Sequence, residues 1–340
     1  MLARISRRLV TVAVLLPALL LAPIDRAATA QDDDPLDVVV SFSVLADIVE
    51  QVGGDRVSVT SLVPVGGDAH TFDPSPDQIA AIADADLIVE AGDDFEPWLD
   101  DLVEASGSDA PRYEAFGAAI SHDESEHDAT HDDHDADDRD DEADDHDHDG
   151  DDHVDDGDHH EHGDEVHVWL DVENTIHTVT HLAETLAGID PDHTDTYTAN
   201  AEAYIAELEE LDAYIEEQTD TLPAERRQLI TTHQSFGAFA EAYDYEIAGV
   251  LLTSHSTEGA DAPAGHVAEL VRIIEERGIP AVFPDTPGGA DMLEPLANEA
   301  GVEIAPSLYV DTLGEDGSGA ETYVDMMRHN VDTIVSTLGG

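Results

Sequence analysis

The sequence predicts an α/β fold of two lobes, each with a mainly parallel β-sheet and surrounding helices, joined by one long α-helix. Three observations in the 340-residue chain support this prediction. Short apolar runs rich in β-branched residues alternate with segments of helical periodicity, in two separate blocks. A helical pattern of about thirty residues separates the blocks. A charged segment, 122–165, has too few apolar residues to join a core.

The first block, 31–189, is the predicted N-terminal lobe. A β-branched run at 38–40 is followed by apolar positions at helical spacing over 44–52, and Gly53 and Gly54 mark the end of that helix. Strand and helix patterns then alternate at 57–63, 77–83, 87–89 and 95–103. Repeated strand–helix units of this kind favour a parallel sheet.

The pattern between the blocks, 190–222, is the predicted linking helix. Asp190 suits the N-cap, Pro191 suits the first turn, and Pro223 marks the end. One face is apolar at Tyr197, Ala201, Tyr204, Ile205, Leu208, Leu211 and Ile215. About thirty helical residues span about 45 Å. We therefore expect a rod that joins the lobes, the alternative being a surface helix of one lobe.

The second block, 223–340, is the predicted C-terminal lobe. Strand patterns occur at 228–232, 246–251, 279–283 and 302–305. Helical patterns occur at 235–243, 264–277, 292–300 and 321–338. The alternation again predicts a parallel sheet covered by helices.

Residues 1–30 are predicted to be a signal peptide. Three arginines precede an apolar run at 9–21, and Ala28 and Ala30 supply the small residues expected before a cleavage site. The run is shorter than the about 20 residues that a membrane span needs, so an uncleaved anchor is the less favoured alternative. We expect a periplasmic or otherwise extracytoplasmic protein. Because the chain has no cysteine to carry a lipid, we also expect that it is not a lipoprotein.

Composition limits the function. With 80 Asp and Glu, 12 basic residues and a formal net charge of −68, the chain repels phosphate, and we expect no nucleic-acid partner. The absence of cysteine excludes disulfides, iron–sulfur clusters and thiolate-bound zinc. Any metal is therefore held by imidazole and carboxylate groups.

The charged segment 122–165 is predicted to be a disordered loop, because 24 of its 44 residues are acidic and ten are histidine. We expect those histidines to collect metal weakly, the alternative being a solvated acidic spacer. They are His122, His127, His131, His134, His146, His148, His153, His159, His160 and His162.

Four other residues are candidate metal ligands. His70 lies in a loop after a predicted strand, His167 lies between the acidic segment and a helix, and His233 and Asp311 each follow an apolar run. Ligands in open α/β sheets bind at the carboxyl ends of strands. Three imidazoles and one carboxylate suit Zn²⁺. The separations match no local zinc motif, however, and each residue taken singly is more often structural.

Several stretches resemble the zinc-binding solute-binding proteins of metal ABC importers, the cluster A-I family. They are Asp-Ala-His-Thr-Phe-Asp-Pro-Ser-Pro at 68–76, Phe-Glu-Pro-Trp-Leu at 95–99, His-Val-Trp-Leu-Asp at 167–171, Thr-Thr-His-Gln-Ser-Phe at 231–236, Tyr-Val-Asp-Thr-Leu-Gly at 309–314 and Tyr-Val-Asp-Met-Met at 323–327. The resemblance implies that His70, His167, His233 and Asp311 bind Zn²⁺ in a cleft between two lobes. It also implies a monomer that delivers the ion to an ABC transporter membrane permease.

The resemblance also bears on the ion. Manganese-preferring members of the family tend to have a carboxylate where this chain has His233, so zinc is favoured. The alternatives are a manganese importer component and a secreted zinc storage or adhesion protein. A zinc hydrolase is remote, because four protein ligands leave no position for water. Asp68 or Glu165 could replace Asp311 as the oxygen ligand, and the turn 283–289 departs from the family pattern.

Overall fold

The computed structural model describes residues 34–92, 95–117, 166–252 and 262–340. The predicted signal peptide and the ten histidines of segment 122–165 lie outside these residues, so both assignments stay predictions. Among the helices in the described ranges, none combines the length and the apolar character that crossing a membrane requires.

The first lobe is built on a four-stranded parallel sheet with strand order β2-β1-β3-β4. Its elements are β1 (Leu36–Val40), α1 (Ser43–Gly53), β2 (Val57–Ser61), α2 (Pro76–Asp84), β3 (Leu87–Glu90), α3 (Leu99–Ser106) and β4 (Arg112–Glu114). Strand β1 is central, and Val38, Val39 and Val40 are accordingly buried on both faces.

Helices α4 (Val172–Ile189) and α5 (Thr194–Thr219) follow the first sheet in the chain, and α5 is the helix that connects the lobes. Helix α5 packs against α4 and α1 of the first lobe and against the C-terminal helix. Its buried face is the predicted one, with Tyr197, Ala201, Tyr204, Leu208, Leu211 and Ile215. The prediction of a two-lobed α/β fold with a long connecting helix is confirmed.

The second lobe repeats the arrangement of the first. Its elements are β5 (Gln228–Thr231), α6 (Gly237–Ala242), β6 (Glu246–Val250), α7 (Ala264–Arg277), β7 (Ala281–Val282), α8 (Gly289–Ala300) and β8 (Glu303–Ile304), followed by α9 (Tyr323–Gly339). Strand β5 pairs with β6, β7 pairs with β8, and a parallel bridge between Thr231 and Phe283 joins the pairs. The order β6-β5-β7-β8 therefore matches that of the first sheet.

The connecting helix begins later than predicted. Residues Pro191–His193 form a 3-10 turn, and His193 rather than Asp190 is the N-cap of α5. The Asp190 carboxylate instead accepts a hydrogen bond from the Tyr197 hydroxyl at 3.0 Å and lies 2.7 Å from His193 Nδ1. The helix ends at Thr219. The sequence pattern did not distinguish a 3-10 turn from the first α-helical turn, because an Asp cap followed by Pro can begin either one.

Helix α3 begins at Leu99 rather than at Phe95. The Glu96 carboxylate accepts the backbone N–H of Ala91 at 2.7 Å, and Leu99 N donates to the carbonyl oxygen of Glu96. Residues before a proline avoid the helical region, so Pro97 holds this stretch as a turn.

Three apolar cores lie within the described residues. The one called the larger core joins the first sheet with α1, α4, α5 and α9. A second core belongs to the second lobe and contains Ile230, Leu251, Leu270, Ile274, Val282, Leu293 and Leu296. The third lies in the first lobe and contains Val39, Leu62, Ile82, Ile88, Leu99 and Leu102.

Candidate metal centre

His70 lies in the loop between β2 and α2. Its backbone N–H donates to Asp68 Oδ1 at 2.9 Å, and the Trp98 indole N–H donates to the carbonyl of Ala69 at 2.7 Å. The ring centroid of Phe95 lies 4.6 Å from that of His70. The loop is thus fixed at its backbone, and the imidazole is packed against an aromatic wall.

His167 precedes the 3-10 turn Val168–Leu170 and is fully buried. Its ring contacts Phe95 and Trp169, with centroid distances of 5.7 and 5.3 Å. Trp169 packs in turn against Phe42 at 5.1 Å. These rings remove water from one side of the imidazole.

His233 follows strand β5 of the second lobe and is also fully buried. Its Nδ1 lies 3.1 Å from Oδ2 of Asp285, which follows β7. Asp285 also accepts hydrogen bonds from Ser235 Oγ at 2.6 Å and Thr232 N at 3.0 Å. With Nδ1 directed at a carboxylate, His233 presents Nε2 to the space between the lobes.

Asp311 lies between β8 and α9, with 6% of its surface exposed. Its Oδ1 lies 3.2 Å from His167 Nε2, and its Oδ2 lies 3.5 Å from Nε2 of both His70 and His233. Both carboxylate oxygens therefore face the three imidazoles.

The structure brings all four predicted residues together. One ligand atom from each of His70, His167, His233 and Asp311 lies within 4.8 Å of the others. Asp68, an alternative oxygen ligand, is instead bonded to the backbone of its own loop. Glu165, the other alternative, lies outside the described residues.

Two of the facing atoms have no hydrogen-bond partner, whereas His233 Nε2 and His167 Nε2 lie 3.4 Å apart, within hydrogen-bond distance. His70 Nε2 and Asp311 Oδ1 are buried and have no hydrogen-bond partner. Buried polar atoms normally have a partner, and leaving one unpaired costs about 1–3 kcal/mol. Atoms that converge on a common centre rather than on each other are arranged as a cation requires.

The site is electrostatically prepared for a positive charge. Burial by itself raises the pKa of the Asp311 carboxyl, but the neighbouring imidazoles, His167 foremost and then His233 and His70, hold that pKa well below its usual value. Burial lowers the pKa of His233, but the charges of Asp285 and Asp311 outweigh it and raise the pKa to about 10. Asp311 is thus ionised, and His233 is strongly basic.

Asp285 was not identified from the sequence as part of the site. The only signal was the departure of the turn 283–289 from the family pattern. Its contact with His233 follows from pairing between β5 and β7, which the spacing of the strands does not reveal.

A cavity of about 500 Å³ borders the site on the Asp311 side. Its lining includes Gly66 of the first lobe and the acidic residues Asp285, Asp311, Glu315 and Asp316. The carboxylates on this side of the centre favour the approach of a cation.

Residues 38–337 match the family described as zinc-uptake complex component A, periplasmic. The chain is similar to the manganese-binding lipoprotein MntA of Halalkalibacterium halodurans, with 35% identity over 91% of each chain. It is similar as well to the zinc-binding protein TroA of Treponema pallidum, with 29% identity over 91% of this chain and 90% of TroA. The solved structure of TroA matches with a TM-score of 0.71 and 26% identity, covering 90% of this chain and 99% of TroA.

These relatives correct one prediction. We expected from the missing cysteine that the protein is not a lipoprotein. MntA is named a lipoprotein, as is SsaB of Streptococcus sanguinis, which is 25% identical over 90% of each chain. The expectation is therefore contradicted. The absence of cysteine does not justify the inference that the protein is not a lipoprotein.

Proposed function

The chain belongs to the family of periplasmic zinc-uptake complex component A proteins, and on this premise we propose that it captures Zn²⁺ for delivery to a membrane permease. Proteins of this family are the extracytoplasmic metal-binding components of ABC importers, which work with a permease. The chain is accordingly a substrate-binding protein and not an enzyme. The resemblance inferred from the sequence motifs is confirmed.

The proposed ligands are His70, His167, His233 and Asp311. Their convergence within 4.8 Å is the observation that carries the proposal. Three imidazole nitrogens and a carboxylate form a set that a borderline ion such as Zn²⁺ prefers. Four protein ligands also complete a tetrahedral shell, which suits capture rather than hydrolysis.

Manganese is the second candidate. The relative from Halalkalibacterium halodurans is named manganese-binding. Both oxygens of Asp311 face the imidazoles, so a carboxylate binding through both would give five donor atoms. A larger number of oxygen ligands suits Mn²⁺. Zinc remains the proposal because nitrogen donors outnumber carboxylate groups three to one.

The experiment is a metal competition titration on the purified, chelator-treated protein. We expect Zn²⁺ to bind with one tight site and Mn²⁺ to bind more weakly. His233→Ala should strongly lower the zinc affinity of the tight site, whereas His181→Ala, on the surface of α4, should leave it unchanged. Tighter binding of Mn²⁺ than of Zn²⁺ would make manganese the proposed ion instead of zinc. An unaltered tight site in His233→Ala would refute the assigned ligands.

A further inference from the structure

The chain changes its hydrogen-bond partners just before Asp311. As it leaves β8, Ala305 N donates to the carbonyl of Val282 at 2.9 Å, and Leu308 N donates to that of Pro284 at 2.7 Å. Both acceptors belong to the second lobe. Up to Leu308, therefore, the segment is held by the lobe that its position in the chain suggests.

After Leu308, Tyr309 is hydrogen-bonded to Asn330 of α9, and the next residues are hydrogen-bonded to the first lobe. The Trp169 indole N–H donates to the carbonyl of Val310 at 3.0 Å. The backbone N–H of Gly66 donates to Thr312 Oγ1 at 2.7 Å. The residues on both sides of Asp311 are thus bonded to the turn that follows His167 and to the loop that carries His70.

A third hydrogen bond comes from helix α1. Leu313 N donates to Ser43 Oγ at 3.0 Å, and the Ser43 hydroxyl in turn lies 3.4 Å from Thr312 Oγ1. Ser43 is the first residue of α1 in the first lobe. We call these three bonds, made by Trp169, Gly66 and Ser43, the Asp311 clasp.

The helix that follows is anchored in the same way. Tyr323 N, at the start of α9, donates to Asp47 Oδ2 of α1 at 2.7 Å, and the Tyr323 hydroxyl donates to the carbonyl of Trp169 at 2.7 Å. Val310 and Leu313 are buried in the larger core together with α1, α4 and α5. The chain from Val310 onwards is therefore packed on the first lobe.

His233 differs from the other three ligands. Its imidazole is oriented by Asp285, whose hydrogen-bond donors Thr232, His233 and Ser235 all belong to the second lobe. The strands before His233 and Asp285 are joined directly to each other.

We propose that Asp311 is a ligand of the first lobe, held there by the clasp, although it follows the strands of the second lobe. His70, His167 and Asp311 then form one rigid set of donors, and His233 is the donor that the second lobe contributes. The predicted boundary at residue 223 therefore does not separate the two lobes completely, since the segment after Leu308 returns to the first lobe. This inference rests on the proposed function only in taking the four residues as ligands of one ion. Ser43, Thr312 and Trp169 are positioning residues for Asp311.

The test is a set of double-mutant cycles with Zn²⁺ as the probe. Thr312→Val keeps the shape of the side chain and removes the hydroxyl that accepts from Gly66. The zinc affinity is measured by chelator competition for Thr312→Val in the otherwise unchanged protein, in Asp311→Asn and in His233→Ala. A hydrogen bond of this kind corresponds to about a 3- to 10-fold loss of affinity. We expect that loss in the unchanged protein and in His233→Ala, but almost none in Asp311→Asn.

The matched control is Thr180→Val on α4, whose hydroxyl bonds only to its own helix and which should leave the affinity unchanged in every background. Ser43→Ala is a second test of the clasp, because it removes the hydroxyl that accepts from Leu313 N. Equal losses in the unchanged protein and in Asp311→Asn would overturn the inference, because the hydroxyl would then act through something other than Asp311. No loss in the unchanged protein would overturn it as well. Failure of the unchanged protein to bind zinc is a different outcome, which refutes the proposed function.

Discussion

His233 and Asp285 form a buried pair, with Nδ1 and Oδ2 3.1 Å apart and both side chains fully excluded from solvent. Ser235 and two backbone N–H groups hold the carboxylate in place. A carboxylate on one ring nitrogen fixes the orientation of the imidazole and increases the basicity of the other nitrogen. Asp285 therefore acts on the ion through His233.

Replacing this carboxylate should weaken metal binding without removing a ligand. We expect Asp285→Asn to lower the zinc affinity about 10- to 100-fold, the range measured for such supporting groups. Chelator competition gives the affinity. Asp291→Asn, an exposed change at the start of α8, is the charge-matched control and should have no effect. An unchanged affinity in Asp285→Asn would show that the pair does not support the site.

The identity of the third donor should set the metal preference. His233→Glu exchanges an imidazole for a carboxylate, which Mn²⁺ tolerates better than Zn²⁺ does. We expect the ratio of zinc to manganese affinity to fall by about tenfold or more, equivalent to about 1.4 kcal/mol. Titration of the same preparation with each ion measures the ratio. A ratio that stays constant or rises would show that the residue at position 233 does not set the metal preference.

Zinc binding should release a proton from His233. Because the pKa of His233 is raised to about 10 in the metal-free protein, its imidazole is protonated at about pH 7 and must lose that proton to bind the ion. Affinity should therefore increase with pH up to about 10. The release of about one proton is measured by calorimetry in buffers of different ionisation enthalpy, and His233→Gln should release one fewer.

The same pKa has a consequence for stability. The folded protein holds this proton more tightly than the unfolded chain, whose histidines have a pKa of about 6.5. The stabilisation is complete below about pH 6.5 and is lost as the pH rises through about 10. Denaturant unfolding of the metal-free protein should show this loss, and His233→Gln should show less of it.

The connecting helix should be essential for stability. Leu208 of α5 is fully buried in the larger core. We expect Leu208→Ala to lower the free energy of unfolding by about 2–5 kcal/mol. The neighbouring exposed change Glu209→Ala should alter it by less than about 0.5 kcal/mol. Chemical denaturation measures both changes in the free energy of unfolding. Equal changes in the two variants would show that Leu208 does not stabilise the core.

The histidine-rich segment should bind metal separately from the cleft. Deletion of 122–165 is expected to remove several weak zinc sites and leave the tight one, because none of the four proposed ligands lies within it. Calorimetry counts both classes of site. Loss of the tight site on deletion would contradict the ligand assignment.

Three strands of the first sheet could be predicted from the sequence, since β1 and β3 contain continuous apolar runs and β2 alternates valine with polar residues. Strand β4 could not, because Arg112, Tyr113 and Glu114 form no such run. It is a strand only through its pairing with β3 and the bond from Arg112 Nε to Glu90 at 2.7 Å. Asp285 was missed for a related reason: its role depends on the neighbouring strand, not on its own surroundings in the chain.

By itself, the sequence determined which residues have the chemistry of a metal site and which segments alternate between strand and helix. Both depend on residue type and short-range periodicity, which the order of amino acids contains directly. Only the tertiary structure decided that a carboxylate supports His233 and that the first lobe holds Asp311. These relationships join residues 50 to 270 positions apart. Such contacts depend on how strands pair and helices pack, and local spacing carries no information about them.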